Sequence, residues 1–178
     1  MYFFLIGYHY DLQLHVISME TAMQKIILTL STCLLILASS SLIAADDDPN
    51  MILIKGRQGD MDMRTFFATP LFAMAKGKIP YDAEKAAKLA NNLKMMLKLD
   101  MGDAWAPGTG NDKYKGKTHA LPEIWSTYPK VAEAGKEYAA AVNEFAAVAG
   151  DGLDALRSKI GAVGEGCKGC HDDFREKE

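Results

Sequence analysis

The sequence from Met51 onward predicts an all-α fold, and three observations lead to this prediction. Apolar residues recur at helical spacing in four successive blocks. Joints rich in glycine and proline separate the blocks, and no stretch alternates apolar and polar residues as a half-buried strand does. The chain has 178 residues, 49% of them hydrophobic, which is enough for one sizeable core. We therefore expect one domain in which four helices pack as a bundle.

Helices one and two are predicted from apolar repeats with clear boundaries. The first block covers residues 51–76 and closes at Gly77-Lys78-Ile79-Pro80. The second begins after Asp82, a good N-cap residue, and continues to about Leu99. The joint over residues 100–121 contains Pro107-Gly108-Thr109-Gly110 and several lysines, so we expect a surface loop there.

Helices three and four follow this joint. The third block starts at Pro122-Glu123 and ends near Gly150, with an apolar stripe formed by Ile124, Tyr128, Val131, Tyr138, Val142 and Phe145. The fourth block opens at Asp151 and places apolar residues at alternating steps of three and four, the seam pattern of a helix bundle: Leu153, Leu156, Ile160, Val163, Cys167, Cys170 and Phe174. Each glycine in a helix interior lowers helix stability by about 1 kcal/mol relative to alanine. This block has four, and they predict a flat, bulky group close to its backbone: Gly161, Gly164, Gly166 and Gly169.

Residues 23–45 have the composition of a secretory signal peptide. Lys25 precedes an apolar run over residues 26–37, and mostly small residues continue to Ala45. We expect cleavage after Ala44 or Ala45, which leaves residues 46–178 as a mature periplasmic domain. An uncleaved membrane anchor is the alternative, although acidic residues after the run disfavour it. A start at Met23 would give a normal signal and make residues 1–22 a wrongly assigned start.

Cys167-Lys168-Gly169-Cys170-His171 is a Cys-x-x-Cys-His motif, the attachment sequence of c-type haem. Two thiols three residues apart on one helix face can each form a thioether with a haem vinyl group, and His171 then supplies the proximal iron ligand. Because both cysteines occupy seam positions, we expect one covalent haem c inside the bundle, near the C-terminal end of the fourth helix.

Other uses of a Cys-x-x-Cys pair fit this chain less well. Zinc needs four ligands, and His119 is the only further histidine after the predicted signal. A thioredoxin-like dithiol needs a βαβ context, which the sequence lacks. Nucleic acid is excluded as a partner, because the formal net charge is -3 and no basic block occurs.

The distal side of the haem is predicted from helix order. If the bundle runs up-down-up-down, the start of the first helix lies beside the end of the fourth, which brings residues 57–65 to the haem. Met61 and Met63 lie in this range, and methionine sulfur is a recognised sixth iron ligand. The alternative is that these methionines are core filler.

Several short motifs occur together within residues 51–178: Arg57-Gln58, Pro70-Leu71, Ala73-Met74-Ala75-Lys76-Gly77, Ile79-Pro80-Tyr81-Asp82, Pro107-Gly108-Thr109, Pro122-Glu123-Ile124-Trp125 and the haem motif with Asp172-Asp173-Phe174-Arg175. With them the chain resembles the cytochrome c′ family, the class II c-type cytochromes. Cytochrome c′ is itself a standard example of an up-down-up-down bundle, so the resemblance implies this topology.

The resemblance also implies roles for individual residues. It places the haem at the motif, with Arg57 and Gln58 beside the haem propionates and Arg175 close to the proximal face. It assigns the distal position to Met61 and not to Met63. Members of the family differ in whether a methionine there binds iron. Asp60 departs from the family, which usually has an apolar residue at this position.

We expect a periplasmic electron carrier that passes single electrons between redox proteins. No second histidine and no acid or base is recognisable near the distal position, so an enzyme is not expected. The alternative is a gas-binding haem protein that holds NO or CO on five-coordinate iron. The resemblance further implies a homodimer through helices one and two, which an exposed apolar stripe on them would support.

Overall fold

The structure, a computed structural model, describes residues 48–177. Within this range it has no β-strand, one 3₁₀ helix (Gly102–Trp105) and five α-helices: α1 (Asn50–Ala75), α2 (Ala83–Met96), α3 (Glu123–Ser126), α4 (Tyr128–Ala146) and α5 (Leu153–Phe174). None of the helices in this range is long and apolar enough to cross a membrane. The predicted signal peptide and the segment before it lie outside the described residues.

The four long helices α1, α2, α4 and α5 form the bundle, which confirms the predicted all-α fold and its up-down-up-down order. Each long helix packs against the next one along the chain, and α5 closes the ring against α1. Short connections join α1 to α2 and α4 to α5, as is typical of antiparallel neighbours. The N-terminal half of α1 therefore lies beside the C-terminal half of α5.

Local sequence explains the connection between α1 and α2. Gly77, with φ 68°, ends α1 in a Schellman motif, in which Lys78 N donates to Ala73 O at 2.9 Å. Asp82 caps α2 as predicted, because its side chain accepts a hydrogen bond from Lys85 N at 2.9 Å. α2 ends slightly before the predicted boundary.

The predicted third helix is wrong at one point, because it is interrupted at Thr127 between α3 and α4. Thr127 has φ -123° and ψ 42°, outside the helical region. Pro129 accounts for a new helix start here: it has no N–H for the carbonyl of Trp125, and it lies in the first turn of α4, where no such hydrogen bond is needed. As a result Tyr128, which was expected on the buried stripe, is 68% exposed.

The packed core fills one end of the bundle. It comes from the C-terminal half of α1, from α2, from the end of α4 and from the N-terminal half of α5: Leu71, Met74, Ala86, Ala90, Leu93, Val142, Phe145, Ala149, Leu156, Ile160 and Val163. A smaller cluster of Ala120, Ile124 and Phe174 lies towards the other end, and Cys170 packs against it. The motif-bearing end of the bundle is therefore filled by fewer side chains.

Two α5 glycines make room for neighbouring helices. An added Cβ at Gly166 would lie 3.0 Å from the Tyr138 Cα, and one at Gly164 would lie 3.4 Å from the Phe72 ring. The other two of the four glycines have no such neighbour within 4 Å. The prediction that a flat group explains all four is therefore wrong for Gly164 and Gly166, which permit close packing of protein.

Gly166→Ala should lower the free energy of unfolding by about 1–3 kcal/mol, since the added methyl must push α4 and α5 apart. Gly161→Ala is the matched control, because its added Cβ meets nothing within 4 Å. It should raise the free energy of unfolding by about 0.5–1 kcal/mol through the better helix propensity of alanine. Urea unfolding followed by circular dichroism measures both values, and equal effects would contradict the packing role of Gly166.

Candidate functional site

A cavity of about 760 Å³ opens at the end of the bundle away from the packed core. Its volume lies within the roughly 300–1,000 Å³ typical of sites for small molecules and cofactors. Its walls come from the N-terminal half of α1, the segment between α2 and α3, the α3–α4 region and the C-terminal end of α5. The fold therefore brings the predicted motif and the predicted distal helix to one cavity.

The last turn of α5 carries part of the predicted haem motif into the cavity wall. Three lining residues of this helix end share one helix face: Cys170, His171 and Phe174. Arg175, which directly follows the helix, also lines the cavity. Cys167 lies one turn earlier, and its half-buried side chain is not part of the wall. The two thiols form no disulfide.

The pKa shifts of the motif residues argue against dithiol redox chemistry. Burial raises the pKa of the Cys167 and Cys170 thiols. Burial also lowers the pKa of the His171 imidazole, and the charge of Arg175 adds to this effect while Asp172 opposes it. Thiols of raised pKa stay protonated at neutral pH, unlike the thiolates of reactive dithiol sites. A neutral imidazole keeps a lone pair for a metal ion.

α1 presents one face to the cavity, and Met61 lies in the middle of it. The lining residues of α1 are Arg57, Gln58, Met61, Asp62 and Thr65. All of them lie one, three or four positions from Met61, which is the spacing of a single helix face. Met63 is 45% exposed and lies outside the wall. Of the two methionines considered from the sequence, Met61 is the one that reaches the cavity.

Arg57 is buried in the cavity wall, with 3% of its surface exposed. Its Nη1 donates to Ala104 O at 3.2 Å and to Thr109 Oγ1 at 2.7 Å. Its Nη2 donates to Thr109 O at 2.5 Å and to Thr118 Oγ1 at 3.1 Å. All these acceptors are neutral, and none of the ion pairs among residues 48–177 includes Arg57. A positive charge without a carboxylate partner thus stands at the cavity.

Two tryptophans pack against this guanidinium. The Arg57 Cζ atom lies 5.1 Å from the ring centroid of Trp105 and 6.0 Å from that of Trp125, both within cation–π range. Trp125 Nε1 donates to Trp105 O at 2.7 Å, which joins α3 to the 3₁₀ helix. The prediction of a surface loop over residues 100–121 is therefore wrong in part. The segment contains a helical turn and buried residues, because the buried guanidinium needs its acceptors.

Gln58 and Arg175 complete the predicted polar residues of the site. Gln58 is exposed, and its Nε2 donates to Lys117 O at 2.9 Å. Arg175 follows α5, and its N donates to His171 O at 3.1 Å. Arg175 also pairs with Ala120 in an isolated antiparallel bridge. This bridge ties the segment before α3 to the residues that follow the motif.

Some lining residues were missed by sequence reasoning. Asp62 places a carboxylate in the wall next to Met61, where no acid was expected. His119, considered only as a zinc ligand, also lines the wall, and its Nδ1 lies 3.6 Å from Glu176 Oε2. Helical periodicity from Met61 could have placed Asp62. His119 and Trp105 carry no such signal, because they reach the cavity through the irregular path of their segment.

The residues present fit a haem c. The cavity combines the motif imidazole and one motif thiol with aromatic and aliphatic walls. The buried guanidinium of Arg57 suits a carboxylate of the kind that haem propionates carry. Zinc is disfavoured further, since among residues 48–177 no group of three His, Cys, Asp or Glu side chains could hold a metal ion.

Comparisons with known proteins identify relatives over most of the described chain. Residues 53–175 match the family model described as Cytochrome C′. Cytochrome c′ from Cereibacter sphaeroides is 39% identical over 125 residues, which cover 70% of this chain and 83% of that protein. The solved structure of cytochrome c′ from Rhodobacter sphaeroides is 38% identical, with a TM-score of 0.71 over 72% of this chain and 98% of that one. A nitric oxide complex of a cytochrome c prime mutant from Alcaligenes xylosoxidans is 30% identical, with a TM-score of 0.64 over 74% of this chain and 98% of that one.

Arg57→Met should lower the free energy of unfolding by about 2–4 kcal/mol, because it leaves buried carbonyl and hydroxyl oxygens without a donor. Gln58→Ala is the neighbouring control, since it removes one exposed hydrogen bond and should cost at most about 1 kcal/mol. Urea denaturation gives both values. A similar loss in the two variants would show that the buried network does not hold the segment between α2 and α3.

Proposed function

The chain belongs to the cytochrome c′ family, and we propose that it is a periplasmic electron carrier with one covalently bound haem c. Binding of haem c follows from membership of the family. The attachment to Cys167 and Cys170 is supported by their Cys-x-x-Cys-His spacing and by the position of Cys170 and His171 in the cavity wall. Export to the periplasm is supported by the signal-like composition of residues 23–45.

The observation that carries the electron-carrier function is that Met61 and His171 line the same cavity. When bound, the haem supplies an iron that changes between the ferric and ferrous states. The imidazole of His171 would bind this iron from α5, and the sulfur of Met61 would bind it from α1. Two protein ligands leave no open position for a substrate, and methionine ligation raises the reduction potential. Both properties suit transfer of single electrons to and from other redox proteins.

Arg57 and Gln58 would hold the carboxylates of the haem propionates. The four hydrogen bonds of Arg57 fix its guanidinium before any ligand arrives, so little further ordering is needed. Both Nη atoms are committed to protein acceptors, so the remaining Nε–H would donate the charge-assisted hydrogen bond to a carboxylate, which supplies the negative charge that this buried cation lacks. Gln58, exposed at the adjacent position, has an amide that can reach a second carboxylate near the surface.

A gas-binding function is the second candidate. A mutant of the relative from Alcaligenes xylosoxidans forms a nitric oxide complex. In this chain Met61 is 38% exposed and follows Gly56 and Gly59, which are poor helix formers. A displaced Met61 would leave a vacant iron position for NO or CO. Catalysis is not proposed, because Asp62 is exposed and no hydrogen bond within the described part of the chain orients its carboxylate.

Spectra of the purified protein distinguish the two functions. With Met61 bound to iron, the ferric wild type is low-spin and has a weak far-red band. Met61→Ala then abolishes this band, gives a high-spin spectrum and lowers the reduction potential. Met63→Ala is the matched control and should leave the spectrum unchanged, because Met63 lies outside the cavity wall.

Intact mass of the same wild-type sample tests the attachment, and it should equal the chain from Ala45 or Asp46 plus one haem. A chain without covalent haem would overturn the proposed cofactor site. A high-spin wild-type spectrum that Met61→Ala does not change would overturn ligation by Met61. Tight NO binding by that protein would then make gas binding its function.

An exposed apolar stripe on α1 supports a homodimer. Ile52, Met63 and Phe66 are 68%, 45% and 65% exposed. Together with Gly59 they recur at steps of seven, four and three, which places them on one helix face. Gly59 meets nothing within 4 Å of an added Cβ, so a partner helix can approach closely. Two further exposed apolar residues lie at the end of the adjacent α2: Met95 and Leu99. Exposed apolar patches of this kind mark protein interfaces, and we propose that a second copy of the chain covers this one.

Phe66→Glu should convert the dimer to a monomer, because a carboxylate in an apolar interface loses its hydration without gaining a partner. Sedimentation velocity over a range of protein concentrations measures the two states. Ala140→Glu, at an exposed position of α4, adds the same charge away from the stripe and should leave the dimer intact. A monomeric wild type, or a dimer that survives Phe66→Glu, would exclude this interface.

A further inference from the structure

Asp60 and Arg64 form a partly buried ion pair on α1. Arg64 Nε donates to Asp60 Oδ2 at 2.9 Å, and Arg64 Nη2 donates to Asp60 Oδ1 at 3.2 Å. The exposed fractions of the two side chains are 7% for Asp60 and 19% for Arg64. In every other ion pair within residues 48–177, both side chains are at least 43% exposed. The charges of Asp60 and Arg64 therefore act on their neighbours with less screening by water than those of the other pairs.

Arg64 lies where the four long helices meet. Its Nη2 is 3.5 Å from Met96 O at the end of α2, and its Cζ is 5.4 Å from the ring centroid of Tyr138 on α4. Tyr138 in turn packs on α5, since an added Cβ at Gly166 would lie 3.0 Å from its Cα. The ion pair is thus connected, through Tyr138, to Gly166, the residue that precedes Cys167.

The charge of Arg64 acts on the Cys167 sulfur. Burial raises the pKa of the Cys167 thiol, and the positive charge of Arg64 opposes that rise. On the other side of the pair, Met61 follows Asp60 directly in the chain and lines the cavity. The charge of Arg64 therefore acts on the cysteine proposed to bond the haem, and Asp60 is next in the chain to the methionine proposed to bind its iron.

We propose that Asp60 and Arg64 set the reduction potential of the haem held at Cys167 by opposing electrostatic effects, an assignment that rests on the haem attachment proposed above. Reduction adds one electron to the haem, so a nearby positive charge favours the reduced state and a nearby negative charge favours the oxidised state. In the intact pair the two effects offset each other. Removing one partner leaves the other as an uncompensated charge in the interior, where its effect is large.

Spectroelectrochemical titration of the haem-loaded variants tests this assignment. Asp60→Asn keeps the size of the side chain but removes the negative charge, so the potential should rise. Arg64→Gln removes the positive charge, so the potential should fall. Each change should alter the equilibrium constant for one-electron reduction at least threefold, or about 28 mV at 59 mV per tenfold. The double variant, which removes both charges, should return close to the wild-type potential.

Two controls separate charge from structure. Arg64→Lys keeps the charge and should stay nearer to the wild type than Arg64→Gln does. Lys159→Gln breaks the exposed ion pair with Glu144 and should leave the potential unchanged. If the role of the pair were purely structural, the reduction potentials of both single variants would shift in the same direction. The potential of the double variant would then shift at least as far. That pattern, or single variants with the wild-type potential, would overturn the proposal.

Covalent haem per chain, measured by pyridine haemochrome absorbance, distinguishes this failure from a failure of the proposed function. A wild type without covalent haem overturns the haem site, and the role of the ion pair with it. If the wild type carries one haem and its potential does not change when either charge is removed, only the proposed role of the ion pair is overturned.

Discussion

The buried guanidinium of Arg57 is the interaction on which the cavity end of the bundle depends. Its four hydrogen bonds all end in the segment between α2 and α3. A guanidinium buried without acceptors would cost several kcal/mol, so the chain folds this segment around Arg57. Trp105 and Trp125 then pack against its faces and become cavity walls. The cavity therefore has its shape because one charge on α1 is satisfied by carbonyl and hydroxyl oxygens from elsewhere.

The residues that stabilise the bundle and the residues that line the cavity lie at different ends of the same helices. At one end α1 and α5 contribute fully buried side chains such as Leu71 and Leu156, each of which contributes roughly 1.5–3 kcal/mol when removed from water. At the other end the same two helices carry Met61, His171 and several glycines, and they face a cavity. The packed end keeps the helices together. The cavity end can therefore contain polar side chains and glycines that would not support a bundle by themselves. A prosthetic group at that end would add the apolar contacts that the protein itself leaves out.

Helical periodicity predicted the parts of the molecule in which one face of a regular element meets the core. The alternating steps from Leu153 to Phe174 predicted α5, and these two residues are its observed limits. The same logic placed Met61 on the helix that lines the cavity. It did not predict the 3₁₀ helix or the position of Trp105, because their path follows from distant hydrogen bonds to Arg57 and not from any local repeat. It also missed the break before α4, since a pattern of apolar residues says nothing about a missing backbone N–H.

Three residues within one turn of α1 lie in different surroundings. The contacts of this turn determine which of them faces the cavity. Asp60 pairs with Arg64 in the interior, Met61 lines the cavity and Met63 lies on the exposed stripe. A helix of 3.6 residues per turn rotates by about 100° at each residue, so a shift of one residue would bring the Asp60 carboxylate to the cavity in place of the Met61 sulfur. Intrinsic helix propensity does little to hold this turn, because Gly56 and Gly59 lie just before it. Tertiary contacts before and after Met61 hold it instead. The Arg57 network lies on one side, and the contacts of Arg64 with Met96 O and the Tyr138 ring lie on the other. Two arginines, one on each side of Met61, therefore determine that Met61 and Asp62, and not Asp60, face the cavity.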